Sequence, residues 1–394
     1  MQAILSVTVP VFALVLTGYL AARRRLLPLD AVPGLNAFVL TFALPCLLFR
    51  FGASLPWRDL LDPVVLAIYA GCALLLVAFT IAVTLKPPVG LKDAAFGALV
   101  GAFPNSGYMG VPLLVALLGP AAAGPTITTV LVDLLLTCPL CLAIAQSRHE
   151  LPTQPPQPFE VDGHDEVTSS LPPAMAAEAS AQARLAVLTA PATLSSPAPR
   201  PLPHVAQPSP AAETRATLLR ALRGSLSSPM PWAIALGAGV SMTGLALPEP
   251  LDRVIAMLAE AASPVALFTL GAVLWRASMP RRAAGPLVLD DQARSPHRIP
   301  LARVLPVVMI KLLLHPLLVL VGGLIARALG LPLSGFQLTV LVLVAALPSA
   351  SGVMPLAERY GADNGRVTRI ILWSTLLAFV SFPVLAWLFQ LQPT

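Results

Sequence analysis

The chain has 394 residues, 56% of them hydrophobic and 11% charged, with a mean hydropathy of +0.80 and a net charge of +6. A soluble globular domain carries about 25% charged residues, so this composition excludes one and places most of the chain in lipid. The basic residues are scattered over short loops with no aromatic–basic platform, which excludes nucleic acid as a partner.

Apolar runs of about 20 residues, the length that crosses a bilayer, fall at 3–22, 33–51, 63–85, 94–118 and 124–146. They resume at 229–247, 252–275, 301–326, 334–357 and 367–390. The reading is an all-α membrane protein of ten transmembrane helices. One five-helix unit covers 1–146, a connecting segment 147–228, and a second five-helix unit 229–394. The first span has no basic n-region and ends in Arg23-Arg24-Arg25, which suits a retained helix better than a cleaved signal peptide. Cys46, Cys72, Cys138 and Cys141 lie inside apolar spans and read as buried small hydrophobes, with no disulfide framework.

Lys and Arg set the orientation. Outside the central segment, fourteen fall in odd-numbered loops and three (Arg58, Arg253 and Arg327) in even-numbered ones. Both termini are therefore expected to be periplasmic or extracellular, with the 147–228 loop cytoplasmic, in a multi-pass protein of the bacterial inner membrane. That loop holds thirteen of the 42 prolines and much Ala and Ser. Such a composition buries too little apolar surface to offset its ordering entropy, so it reads as mostly disordered, with an Ala-rich stretch at 174–188 able to form a short helix. His164-Asp165-Glu166 within it reads as a solvated tract, and no metal or other cofactor is expected.

The halves share a pattern. Pro45, Leu48, Phe49 and Gly52 of the second span match Pro264, Leu267, Phe268 and Gly271 of the seventh at equal spacing. An odd number of spans per half makes the two units inverted repeats, an architecture common among secondary transporters. The fourth and ninth spans are broken, by PNSGYMGVP at 104–112 and by PSASGVMP at 348–355. Each proline lacks an N–H and clashes with the preceding turn, and the glycines admit conformations closed to other residues. Unpaired backbone groups cost several kcal/mol each in hydrocarbon, so paired breaks mark a binding site near the midplane. Half-helices starting near Met109 and Val353 would turn electropositive N-termini inward, a setting suited to a carboxylate. The candidate substrate residues are Pro104, Asn105, Ser106, Gly107, Met109, Pro348, Ser349, Ser351 and Gly352.

Asp133 and Lys311 lie mid-span, where charges are costly and are paired or functional. They read either as a structural ion pair or as a proton- or substrate-coupling site, with His315, one turn after Lys311, as a local hydrogen-bond partner in preference to a titrating group. Arg50, at the outer end of its span, reads as snorkelling to the interface. Gly97-xxx-Gly101 reads as close helix packing.

Leu44-Pro45-x-Leu-Leu-Phe49, Pro104-Asn105-Ser-Gly-Tyr-Met109-Gly110-Val-Pro112, and Ala346-Leu347-Pro348 followed by Pro355 and Glu358-Arg-Tyr360 resemble the auxin efflux carrier family, in its bacterial form. The resemblance implies a scaffold of the first, second, sixth and seventh helices, crossing fourth and ninth helices, and an elevator-type motion. It implies organic-anion substrates such as auxin or malonate, with Pro104, Asn105 and Pro348 at the crossover. Many relatives place an Asn a few residues after the second crossover proline, where this chain has Ser351-Gly352.

The expected function is a secondary transporter of small mono- or dicarboxylates by alternating access. The alternative is a proton- or sodium-coupled symporter or antiporter on the same scaffold, although neither break contains Asp or Glu. No HExxH, GxSxG or P-loop pattern marks an enzyme. The expected partners are the organic anion and the lipid bilayer, with a homodimer left open. Deleting 155–210 is expected to leave carboxylate transport in liposomes largely intact; a deletion variant that no longer folds would contradict the disorder reading.

Overall fold

Proline placement decides where the helices of this chain bend. The computed structural model describes residues 2–56, 60, 62–87, 89–147, 219–220, 222–224, 226–279 and 301–389. Among them every regular element is helical. In chain order these are α1 (Gln2–Arg23), α2 (Ala31–Phe38), α3 (Leu44–Ser54), α4 (Pro63–Thr84), α5 (Leu91–Ala102), α6 (Val111–Leu118), α7 (Ala123–Val132) and α8 (Cys138–Gln146). Then follow α9 (Pro229–Thr243), α10 (Glu249–Ser278), α11 (Leu301–Met309), α12 (His315–Ala328), α13 (Gly335–Ala345), α14 (Val353–Arg359) and α15 (Asn364–Leu388).

Four π-turns join pairs of these helices: Val39–Ala43, Ser106–Gly110, Asp133–Thr137 and Ile310–Leu314. Each is followed by a helix whose second residue is a proline, namely Pro45, Pro112, Pro139 and Pro316. A proline there cannot donate to the carbonyl four residues back, and its ring presses on it. Widening the turn by one residue moves that carbonyl aside and lets the residue before the proline bond five residues back, as Val111 does to Ser106 and His315 to Ile310.

Seven helical runs are long and apolar enough to cross a membrane: Ile4–Arg23, Ala31–Ser54, Pro63–Thr84, Pro120–Gln146, Glu249–Arg276, Leu301–Ala328 and Asn364–Leu388. The other three expected spans are shorter for stated reasons. The fourth is split into α5 and the Ser106–Leu118 helix, the ninth into α13 and α14, and the sixth gives a helix of 15 residues. The loop expected at 147–228 lies mostly outside the described residues, including 174–188 and His164-Asp165-Glu166; the residues described between 219 and 226 are helical.

Two helix pairs approach through facing glycines. A Cβ at Gly18 of α1 would run into the Phe268 carbonyl of α10, and one at Gly271 of α10 into the Val15 carbonyl of α1. Gly52 of α3 and Gly237 of α9 meet in the same way, a Cβ at Gly52 lying 3.1 Å from the Ile234 carbonyl. Gly52 and Gly271 occupy the same place in the Pro–Leu–Phe–Gly pattern, so that pattern encodes a close helix contact, as small residues do in lipid. Gly97 differs from the expectation: its missing side chain makes room for the Arg366 guanidinium, 3.3 Å from a built Cβ, instead of for a neighbouring backbone.

Polar clamps fix the helix starts. Asp62 accepts from Val64 N–H at 2.8 Å and from the Gln337 side chain at 2.8 Å, tying the start of α4 to the start of α13. Asp93 accepts from the Asp363 N–H at 2.8 Å, and Arg366 donates to the Asp93 carbonyl at 3.0 Å, tying α5 to α15. Gly271→Ala is expected to lower the thermal unfolding temperature in detergent, because neither backbone can yield. Gly71→Ala, whose Cβ would meet nothing within 4 Å, is expected not to. Equal behaviour of the two variants would contradict the backbone-contact account.

Candidate functional site

Helix α5 ends at Ala102 because Pro104 cannot continue it; Phe103 turns extended, with φ −94° and ψ 100°. Helix α13 ends at Ala345, ahead of Pro348. The two interruptions lie against each other as a single antiparallel bridge, Pro104 opposite Ser349. Asn105 N–H donates to the Pro348 carbonyl at 2.8 Å, and Ala350 N–H donates to the Phe103 carbonyl at 3.0 Å. Gly110 keeps the crossing tight: a Cβ there would lie 2.7 Å from Leu347 Cδ1.

The bridge satisfies backbone groups and leaves side chains unmet. Asn105 is 1% exposed, and neither its amide oxygen nor its amide nitrogen has a partner. Ser349 is fully buried, and its hydroxyl has none. The hydroxyl of Thr269, on the α10 helix that packs against the Ser106–Gly110 turn, is likewise buried and unpartnered. A buried polar group without a hydrogen bond costs about 1–3 kcal/mol. Asn105 and Ser349 carry that cost at the bridge itself, and Thr269 on the helix packed against the adjoining turn. No charged side chain lies within 103–112 or 346–355; the donors there are the Asn105 amide, the Ser349 hydroxyl and the N–H groups opening the turn after Asn105.

Of the nine expected substrate residues, Pro104, Asn105, Pro348 and Ser349 come together in the bridge. Ser106 adjoins it, but its hydroxyl donates to the Pro104 carbonyl at 3.4 Å. Met109 is packed in the apolar core that also holds Leu347, Ala350 and Val353, and Gly107 faces Leu44. Ser351 is 8% exposed and Gly352 more so, beyond the bridge. The second half-helix begins at Val353, where the sequence places it; the first begins at Ser106, three residues earlier than expected, because the π-turn precedes Val111.

Asp133, Lys311 and His315 form a second, fully buried polar cluster. Tyr69 donates to Asp133 Oδ2 at 3.1 Å and Thr137 to Oδ1 at 3.2 Å. Lys311 Nζ donates to the Ala345 carbonyl at 3.0 Å and lies 3.0 Å from His315 Nδ1. Among the described residues no salt bridge joins Asp133 to Lys311; Tyr69, bonded to Asp133, and His315, beside Lys311, have ring centroids 6.1 Å apart.

A cavity of about 360 Å³ lies between α3, α6 and α10, lined by Arg50, Ser54, Pro112, Val115, Glu260 and Ser263 among others. Arg50 and Glu260 are exposed, and among the described residues no ion pair involves either. A second cavity of about 270 Å³ is lined by residues including Leu312, Pro316, Val342, Ala346 and Ser381. The four cysteines are free thiols.

Sequence reasoning missed Thr269, Tyr69 and Ser374. Ser374 Oγ accepts the Ser349 N–H at 3.2 Å and donates to the Ile371 carbonyl. Single hydroxyls in apolar spans bond their own helix far more often than they mark a site. Thr137 was findable, four residues after Asp133 on the same helical run. Ser374→Ala strands a buried N–H and is expected to lower thermal stability, whereas Asn105→Ala removes an unpartnered amide and is expected to preserve or raise it. Unfolding scans in detergent that rank the two in the opposite order would contradict this assignment.

Residues 3–386 match the family described as membrane transport protein. The chain is also 28% identical over 392 residues to a protein of Rhizobium meliloti (strain 1021) named "Putative malonate transporter", covering 99% of this chain and 97% of the relative. Both are descriptions of transporters and not of enzymes. With a match across nearly the whole chain, and with helices of membrane-crossing length and composition, the protein belongs to the membrane transport protein family, the auxin efflux carrier family that its broken-helix motifs resemble.

Proposed function

We propose that the protein is a secondary transporter of small organic anions, mono- or dicarboxylates of the size of malonate, which bind at the crossing of the two interrupted helices. The observation that carries this reading is the buried Pro104–Ser349 bridge, beside which the Asn105 amide and the Ser349 hydroxyl have no protein partner. A carboxylate takes hydrogen bonds from an amide, a hydroxyl and the first N–H groups of a helix without needing a fixed positive charge. Neither break carries a carboxylate to ligate a divalent cation. The name carried by the Rhizobium meliloti relative points to the same chemical class.

Alternating access in this reading uses ten spans arranged as two inverted halves. The element order supports it: each half supplies its broken helix as the fourth of five apolar runs. The matched glycines support it too, since Gly52 and Gly271 each hold a partner helix at backbone distance. The α1–α10 and α3–α9 pairs are then the stationary body against which the crossing moves in an elevator-type step. The cavity beside Arg50 and Glu260 borders Pro112, at the start of α6, and serves as a vestibule on the even-numbered-loop side, where the charge distribution places the outside.

The test is counterflow of radiolabelled malonate in liposomes containing the purified protein. Wild type is expected to accumulate label. Asn105→Ala is expected to weaken malonate binding at least tenfold, which corresponds to about 1.4 kcal/mol, while remaining folded. Failure of wild type to exchange malonate and other small carboxylates, or unchanged affinity in Asn105→Ala, would sink the reading.

A further inference from the structure

We propose that Lys311 and His315 form an exchangeable proton site that couples carboxylate movement to a proton; this rests on the transport reading above. Both side chains are fully buried, in the π-turn Ile310–Leu314 and at the first residue of α12. Among the described residues Lys311 Nζ has two partners, the Ala345 carbonyl and His315 Nδ1, each at 3.0 Å, and no carboxylate contacts it. The Asp133 carboxylate has only the Tyr69 and Thr137 hydroxyls. A permanent charge buried at membrane depth without a contacting counter-ion is costly, and a group that can release its proton avoids that cost.

The Nζ–Nδ1 contact lets the proton leave without breaking a hydrogen bond. With Lys311 charged, Nζ donates to Nδ1 and the imidazole carries its hydrogen on Nε2. When Nζ passes a proton to Nδ1 and Nε2 releases one, a neutral amine and a neutral imidazole remain. Nδ1–H then donates to the Nζ lone pair, and Nζ still donates to Ala345. One proton has left, and no bond in the cluster is lost. Nε2 is the exchange port, because it is buried and has no protein partner. The 270 Å³ cavity is lined by Leu312 and Leu313 of this turn and by Pro316, the residue after His315.

The other ionisable groups around the pair are few. Helix α4 contributes Tyr69 and Cys72, the latter 3.6 Å from the Leu318 carbonyl, and the Asp133–Thr137 turn contributes Asp133. Helix α13 carries no ionisable side chain. The charges of α5, α11 and α15 sit near the starts of those helices, where Arg366 donates to the Asp93 and Arg303 carbonyls.

Ala345 is the last residue of α13, and four residues later comes Ser349, a stretch of chain no longer than about 14 Å. An ammonium on the Ala345 carbonyl stabilises the negative end of that helix, and an anion at the crossing favours the ammonium in return. Anion and proton therefore load together, and the carrier runs as a symporter.

The test uses full-length protein in liposomes loaded with a pH-sensitive dye, with malonate added outside and counterflow measured in parallel. Wild type is expected to acidify the lumen as malonate enters. His315→Gln keeps an acceptor for Nζ but cannot relay a proton. It is expected to lose at least tenfold of the malonate-driven proton flux, while its counterflow stays above that of empty liposomes and its unfolding temperature stays near wild type. Wild type exchanging malonate with no proton movement, or His315→Gln retaining the full proton flux, overturns this inference and leaves the carboxylate reading standing. Absence of counterflow in wild type overturns both.

Discussion

Two N–H to carbonyl bonds, Asn105 to Pro348 and Ala350 to Phe103, are the constraint on which the rest of the molecule depends. Lipid offers no hydrogen bonds, so a helix interrupted at membrane depth must find its missing partners within the protein. Here each interruption finds them in the other. A single break would leave both of these N–H groups and carbonyls orphaned, at several kcal/mol each. The breaks must therefore occur together and at matching depth, and Pro104 and Pro348 are one feature in two places. An antiparallel bridge of one residue pair also satisfies only backbone. It leaves Asn105 and Ser349 beside each other with their side chains unmet.

Proline acts a second time in shaping both polar sites. A proline at the second position of a helix widens the preceding turn, and two of the four turns so widened hold Asp133 and Lys311 while a third holds Ser106–Gly110. In a wide turn the carbonyls are less tightly claimed by the helix's own N–H groups, which suits residues that bind or exchange something. Glycine supplies the opposite property. Where Gly18 meets Gly271 and Gly52 meets Gly237, backbones touch and nothing can slide between them. The chain thus alternates rigid glycine contacts with proline-loosened turns, and the loosened turns carry the polar groups.

Much of this was legible in the residues. The apolar runs located the helices, and the paired prolines located both breaks to within a few positions, because membrane burial leaves so few other uses for Pro and Asn in a span. The Pro–Leu–Phe–Gly repeat was visible as a pattern, but its purpose, a backbone contact with a helix from the other half, depends on packing that spacing does not reveal. The same limit applies to Gly97, whose neighbour proved to be a guanidinium. Lys311 and Asp133 stood out as charges, and the sequence left open whether they form an ion pair or a coupling site. Tyr69 holds Asp133 and His315 lies beside Lys311, and an aromatic in an apolar span carries no signal that it will hold a carboxylate. Ser374 could not have been chosen from among the other span hydroxyls, since only the fold brings it to Ser349.

The two broken helices are alike in outline and unlike in how they are held. Helix α13 is tied at its start by Ser334, Gln337 and Asp62, and at its end by Lys311 on the Ala345 carbonyl. Helix α5 is tied at its start by Asp93 with Asp363 and Arg366, but its last turn receives no charged donor. A change of charge at Lys311 therefore acts on one side of the bridge alone. Because the bridge locks the two breaks to each other, a force on Ala345 is transmitted through Pro348 to Asn105. The Lys311 contact falls on α13 and has no counterpart at the end of α5 among the described residues, so the two sides of the bridge are held differently.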